Sequence, residues 1–213
     1  MIVEFPFFGA GINYFPTEIS ALRVFEPRYL LLIADSIKNQ TTFCVGGNLE
    51  SIGQIVSEVE IVEHQDISNA EQLVVVQCIN IYKVSDIDLQ KEYPTCFVDE
   101  IIDVGLPPSE EELLQLQSDI KKVISMLIEQ GLDMQLPDFE IDTESRIISL
   151  WNLCTKVPMS IEMRNKLLSH NSIDDRFEEL NNYVQLILKK SFNKLSIYQI
   201  KNSQKLKFRT RLF

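Results

Sequence analysis

The sequence predicts an α+β protein: a β-rich front over residues 1–104 with one embedded helix, then a helical stretch over residues 105–190. Three observations carry that expectation. Short segments rich in Val, Ile, Phe and Tyr fill the front, the hydrophobic period changes after Ile102, and a helix-start signal follows at Pro107-Pro108-Ser109. Residues 191–213 stand apart as a basic C-terminal tail.

Strands are expected within residues 2–7, 21–25, 41–46, 53–63, 73–84 and 95–103. In the fourth of these, Ile55, Val59 and Ile61 share one parity and Gln54, Glu58 and Glu60 the other, the pattern of a half-buried antiparallel strand. The embedded helix spans Glu26 to Ile37, with Pro27 in its first turn and Tyr29, Leu30, Ile33 and Ile37 at helical spacing. Beyond Ser109, Glu112 can complete a capping box, and Leu113, Leu116, Ile120, Val123, Ile124 and Leu127 form an apolar stripe that ends at Gly131. Further helices are expected from Thr143 to about Lys156 with Ile147, Leu150, Trp151 and Cys154 on one side, from near Ser160, and from near Asp174 with Phe177, Leu180, Val184, Ile187 and Leu188 buried.

Charge narrows the function classes. Residues 1–104 carry 5 basic and 16 acidic side chains, residues 105–188 carry 7 and 15, and residues 189–213 carry 8 and none. The body therefore repels phosphate, whose neutralisation supplies most non-specific nucleic-acid affinity. No apolar run reaches the roughly 20 residues needed to span a bilayer, and the N-terminus lacks a positive region ahead of its apolar stretch, so a cytoplasmic protein is expected. Cys44, Cys78, Cys96 and Cys154 never form CxxC and read as buried, reduced thiols rather than zinc ligands. No phosphate-loop, GxSxG, HExxH or GxGxxG motif occurs, and His64 and His170 lie in unlike contexts. The acidic groups Asp86/Asp88 and Asp99/Glu100/Asp103 lack a calcium-loop pattern and read as a solvated edge. No catalytic residue, cofactor or metal is expected.

Particular words in the chain are more specific than its periodicity. Phe5-Pro6-Phe7-Phe8, Phe15-Pro16 and Leu22-Arg23-Val24-Phe25-Glu26-Pro27-Arg28-Tyr29 resemble the opening of the Lon protease amino-terminal, substrate-binding domain family. Phe43-Cys44-Val45, Ile52-Gly53-Gln54-Ile55-Val56, Leu153-Cys154-Thr155-Lys156-Val157-Pro158-Met159-Ser160, Asn165-Lys166-Leu167-Leu168 and Asp175-Arg176-Phe177-Glu178-Glu179-Leu180 continue the resemblance to about residue 190. Two departures stand out: the family's usual Gly after Phe-Pro is Thr17, and its Gly-x-x-Arg-Phe signature is replaced by Cys78-Ile79-Asn80-Ile81-Tyr82.

The resemblance implies a PUA-like pseudo-β-barrel followed by a C-terminal helical bundle, standing alone without the ATPase and peptidase domains. It implies an ATP-independent, non-catalytic polypeptide-binding module, an adaptor for unfolded or tagged proteins, with a separate protease or chaperone as a further partner. Phe25, Glu26, Arg28, Tyr29 and Tyr82 are the candidate peptide-binding or motif residues. From the residues alone, Phe25 and Tyr29 read as core and helix-packing positions, while Glu26 and Arg28 can anchor the helix start to neighbouring strands. The alternative is an RNA-binding PUA-like module using the basic tail, and self-association through that tail is a further expectation.

Overall fold

The structure, a computed structural model, describes residues 3–47, 49, 52–68, 70–137, 140–142 and 144–190. It is a mixed α+β fold of six strands and five helices, and the described chain divides into two compact units between Ile101 and Ile102. The expectation for the basic tail falls outside the described residues.

The front unit holds β1 (Val3–Gly9), β2 (Ile19–Val24), α1 (Pro27–Asn39), β3 (Phe43–Gly46), β4 (Ile55–Ser68), β5 (Glu71–Asp88) and β6 (Thr95–Glu100). The strand order is β2-β5-β4-β3-β1-β6, and β5 also pairs with β6, so β5, β4, β3, β1 and β6 close on themselves while β2 lies outside on β5. Strand β5, with 18 residues, takes part in both arrangements. Its first half pairs with β2 and β4, its second with β4 and β6, and register shifts between Glu58 and Val59, Ile61 and Glu63, and Val84 and Asp86 accommodate the bend. The parallel pair among the described strands, β1 with β3, has β2 and α1 in its crossover.

Two apolar layers follow from the alternation of β1. Phe7 enters a cluster with Cys44, Val56, Val84, Cys96 and Val98, against which Phe5, Leu49, Tyr82 and Ile87 pack. Phe8, of opposite parity, stacks on Tyr29 of α1 with ring centroids 4.1 Å apart and meets Phe43 at 6.4 Å. Gly46 sits where the first layer is tightest: a Cβ there would lie 2.7 Å from Phe7 Cε2 and 2.8 Å from Val56 Cγ1. The expectation of a half-buried β4 is corrected over Val56–Val59, where Val56 joins the cluster and Val59, of the other parity, is buried opposite Phe43. Both faces of that stretch are covered. Strand alternation reports a solvated face only where nothing packs on it.

Helix α1 buries Tyr29, Leu32, Ile33 and Ser36, so its stripe is rotated from the expected one, with Leu32 in the place assigned to Leu30. The loop before β2 is clamped by Ser57, whose buried hydroxyl donates to Tyr14 O at 2.8 Å and accepts from Tyr14 N–H at 2.7 Å. In that loop Thr17 has φ +73°, and its N–H donates to Cys78 O at 2.8 Å. A left-handed conformation costs a β-branched residue about 1–2 kcal/mol, which the glycine usual at this position in the resembled family avoids.

The second unit holds α2 (Glu110–Glu129), α3 (Arg146–Lys156), α4 (Ile161–Ser169) and α5 (Ile173–Lys190). The capping box forms as expected: Ser109 Oγ accepts from Glu112 N–H and the Glu112 carboxylate accepts from Ser109 N–H at 2.8 Å. All six residues of the expected stripe are buried, and Gly131 follows the helix with φ +83°. Helix α3 starts at Arg146, later than Thr143, because Asp142 Oδ1 accepts from Glu144 and Ser145 N–H while Ser149 Oγ bonds both the N–H and the C=O of Asp142. Those bonds hold a turn where the helix was expected to begin. Its buried residues include Leu153 and Ser149, while Ile147 is half-buried.

Helix α5 buries Leu180 and Val184 completely, and its largest fully buried side chain is Arg176. Its guanidinium donates to both oxygens of Asp103, at 3.0 and 2.6 Å, and to His170 O at 2.5 Å, and lies 3.9 Å from the centre of the Trp151 ring. This corrects the reading of Asp103 as part of a solvated acidic edge: it is the counter-charge of a buried arginine. Val104 N–H to Asn171 O and Ile173 N–H to Val104 O, at 2.7 and 2.9 Å, fasten the same segment to the start of α5. Between α2 and α5, buried Asp119 accepts from Lys122 Nζ at 2.7 Å, Gln115 at 3.2 Å and Gln185 at 2.8 Å.

Three outcomes follow. Asp103→Ala leaves Arg176 enclosed and unpaired, and should lower the stability of the second unit by about 2–3 kcal/mol, below the full range for buried pairs because Asp103 is partly exposed. Trp151, the one tryptophan of the chain, reports this directly in urea-unfolding fluorescence. Burial raises the Asp119 carboxyl, but the bonds from Lys122, Gln115 and Gln185 outweigh it and leave the pKa lowered. The stabilisation is therefore present above the unfolded value of about 4 and lost as pH falls through the lower folded value. Asp119→Asn should be less stable at neutral pH and lose less stability on acidification, measured with the same fluorescence. Thr17→Gly should raise the stability of the front unit by up to about 1 kcal/mol in thermal unfolding, and a loss would count against the left-handed Thr17.

Candidate polypeptide-binding surface

The structure separates the motif residues by role. Tyr29 is buried, and its hydroxyl accepts from Gly9 N–H at 3.1 Å, which ties α1 to the end of β1. Glu26 and Arg28 pair with each other at 2.8 Å on the surface, with Arg28 also 4.7 Å from the Tyr29 ring centre. They do not anchor the helix to the strands as expected, because their spacing at the helix entrance lets the two side chains meet locally. Phe25 is also not core: it is 62% exposed at the turn after β2. The buried positions there go to Val24 and Tyr29. Tyr82 lies at a different part of the unit, opposite Val56 and Glu100, whereas Val24 is opposite Gln72 at the start of β5. It packs half-buried on Phe5, ring centroids 5.5 Å apart, and its hydroxyl accepts from Asn80 Nδ2 at 3.0 Å. Burial pushes its phenol pKa up.

Phe5 also lines an open cleft of about 520 Å³ with Glu4, Pro6, Lys91, Glu92, Tyr93 and Thr95. Tyr93 Oη donates to Asp35 Oδ2 at 3.2 Å, and Lys91 pairs with Glu4. That bond lowers the Glu4 pKa and raises that of Lys91, so both are charged near neutrality and neither is suited to proton transfer there. The four cysteines are buried and form no disulfide, and burial pushes the Cys44 and Cys78 thiols well up, away from nucleophilic chemistry. Asp86 and Asp88 accept local backbone N–H groups at 2.8 Å. Among the described residues no group of three or more His, Cys, Asp or Glu side chains is arranged to hold a metal ion.

A broader apolar surface runs across β2 and β5. Pairing places Ile19 opposite Gln77, Ala21 opposite Val75 and Arg23 opposite Leu73, and residues directly opposite share a face. Val74, Val76 and Cys78 point to the buried side, which leaves Ala21, Leu73 and Val75 half-buried and Ile19 56% exposed on the other. Ile79, passed over where β4 pairs with Cys78 and Asn80, is exposed as well. Phe25 follows directly on β2. On the other flank Glu60 is opposite Gln77 and Glu63 opposite Val75, both exposed, while Glu71 pairs with Arg23. The sequence reading missed this face. Its signal was the unbroken run Leu73-Val74-Val75-Val76, too apolar for a strand with one solvated side.

These features define an α+β chain with a self-closing set of strands, an apolar sheet face flanked by carboxylates, and no assembled reactive centre among the described residues. The family described as the ATP-dependent protease La (LON) substrate-binding domain matches residues 9–185, and the chain belongs to that family. The fold is similar to that of a Lon N-terminal domain protein from Xanthomonas campestris, at 20% identity and a TM-score of 0.63, over 84% of this chain and 96% of that one. It is also similar to the N-terminal domain of Mycobacterium avium complex Lon protease, at 12% identity and a TM-score of 0.57, over 86% of this chain and 98% of that one. Comparison with curated protein sequences gives no significant match. Among the described residues, no helix is long and apolar enough to cross a membrane.

Proposed function

We propose that the protein is a non-catalytic polypeptide-binding module that acts in the cytoplasm as an adaptor for unfolded or tagged proteins, independently of ATP. In this reading the front unit is a PUA-like pseudo-barrel, the second unit is a helical bundle, and a separate protease or chaperone receives the client. The supporting observation is the apolar face of β2 and β5, where Ile19 and Phe25 are more than half exposed beside Leu73 and Val75. An extended client segment buries side chains there, and its backbone can add to β2, which has β5 as its one strand neighbour among the described strands. The carboxylates of Glu60 and Glu63 favour clients that intersperse Lys or Arg with apolar residues. The same acidic flank works against the RNA-binding alternative.

Reduced, carboxamidomethylated lysozyme, an unfolded basic chain, should bind the protein in a fluorescence anisotropy titration. Ile19→Ser combined with Phe25→Ser removes two exposed anchors and should weaken that binding about tenfold or more, with the thermal transition unchanged. Equal affinity for the variant would exclude this face as the client site, and no binding by the folded wild type would remove the proposed function.

A further inference from the structure

We infer that residues 191–213 of the same chain dock on the β2 and β5 face as a tethered competitor of clients. Two independent features meet in this assignment. The face offers an apolar stripe of Ile19, Leu73, Val75 and Ile79 beside the exposed carboxylates of Glu60 and Glu63. The segment carries six basic residues and no acidic side chain, with Ile197, Tyr198, Ile200, Leu206 and Phe208 placed between the charges and Leu212 after the last of them. It therefore has the composition that the face selects in a client. Fully drawn out, its 23 residues span as much as about 75 Å. Tethering sets an effective concentration in the millimolar range, so even weak docking competes with a client supplied at micromolar concentration. Opposite charges exposed to solvent make the contact salt-sensitive, with the attraction fading over a Debye length of about 10 Å at 0.1 M salt. The regulatory consequence rests on the client-binding reading above; the docking does not.

The full chain with Lys194, Lys201, Lys205 and Lys207 changed to Gln tests the assignment against a control of equal net charge in which Lys38, Lys83, Lys121 and Lys156 are changed instead. Isoleucine methyl NMR, with Ile19 and Ile79 assigned through their valine variants, reads the face without any client. In 50 mM salt the tail variant should shift both signals relative to wild type and control, and salt should move wild type towards the variant. Affinity for the unfolded lysozyme should rise about threefold to tenfold in the tail variant above the control. Unmoved Ile19 and Ile79 signals overturn the docking. Shifted signals with no client bound by any of the three proteins uphold the docking and sink the client reading. Shifted signals with affinity equal to the control overturn the competition. A wild-type dimer that becomes monomeric in the tail variant, seen by light scattering, gives the segment to a second copy and overturns same-chain docking.

Discussion

The front unit depends on one constraint: an 18-residue strand must find hydrogen-bonding neighbours along its whole length. No single partner can supply them in a unit this small, so β5 changes neighbours midway, from β2 and β4 to β4 and β6. The second half closes the set of strands around Phe7, Cys44, Val56, Val84, Cys96 and Val98. The first half extends beyond that closure as a three-stranded layer with one covered side and one open side. The open apolar face of β2 and β5 is thus a by-product of how the longest strand is satisfied.

The second unit is organised around charge rather than strand pairing. Arg176 of α5 is held in the interior of the unit because Asp103 and His170 O take hydrogen bonds from its two Nη groups and the Trp151 ring lies against its guanidinium. The same contacts fix the segment leading into α2, since Asp103 and Val104 are neighbours and both are fastened at the start of α5. Asp119 does comparable work between α2 and α5 through Gln185. Buried polar groups of this kind tolerate few alternative packings, which gives a helical unit a defined register.

Legibility followed the physics of each element. Helix α2 was read in full because its caps and its stripe are local and periodic, and six strands and five helices were expected where they occur, although α3 begins later than its sequence suggested. Phe25 was misplaced because aromatic character does not say which side of a turn a residue faces. Helix α1 buries Leu32 rather than Leu30 because Leu30, Leu31 and Leu32 are equivalent as a pattern, and packing decides among them. The candidate face needed pairing between residues 19–23 and 73–77, a long-range register that no single stretch contains. The family words located the fold but pointed to Tyr29, whose role is to hold α1 against β1.

The enclosure of all four thiols carries a separate consequence. Peroxide or an alkylating reagent can reach them only when the structure opens locally, and burial keeps Cys44 and Cys78 in the unreactive protonated form. Modification of these thiols therefore reports transient opening of the fold around them, a readout of local unfolding that the chain carries without an added label.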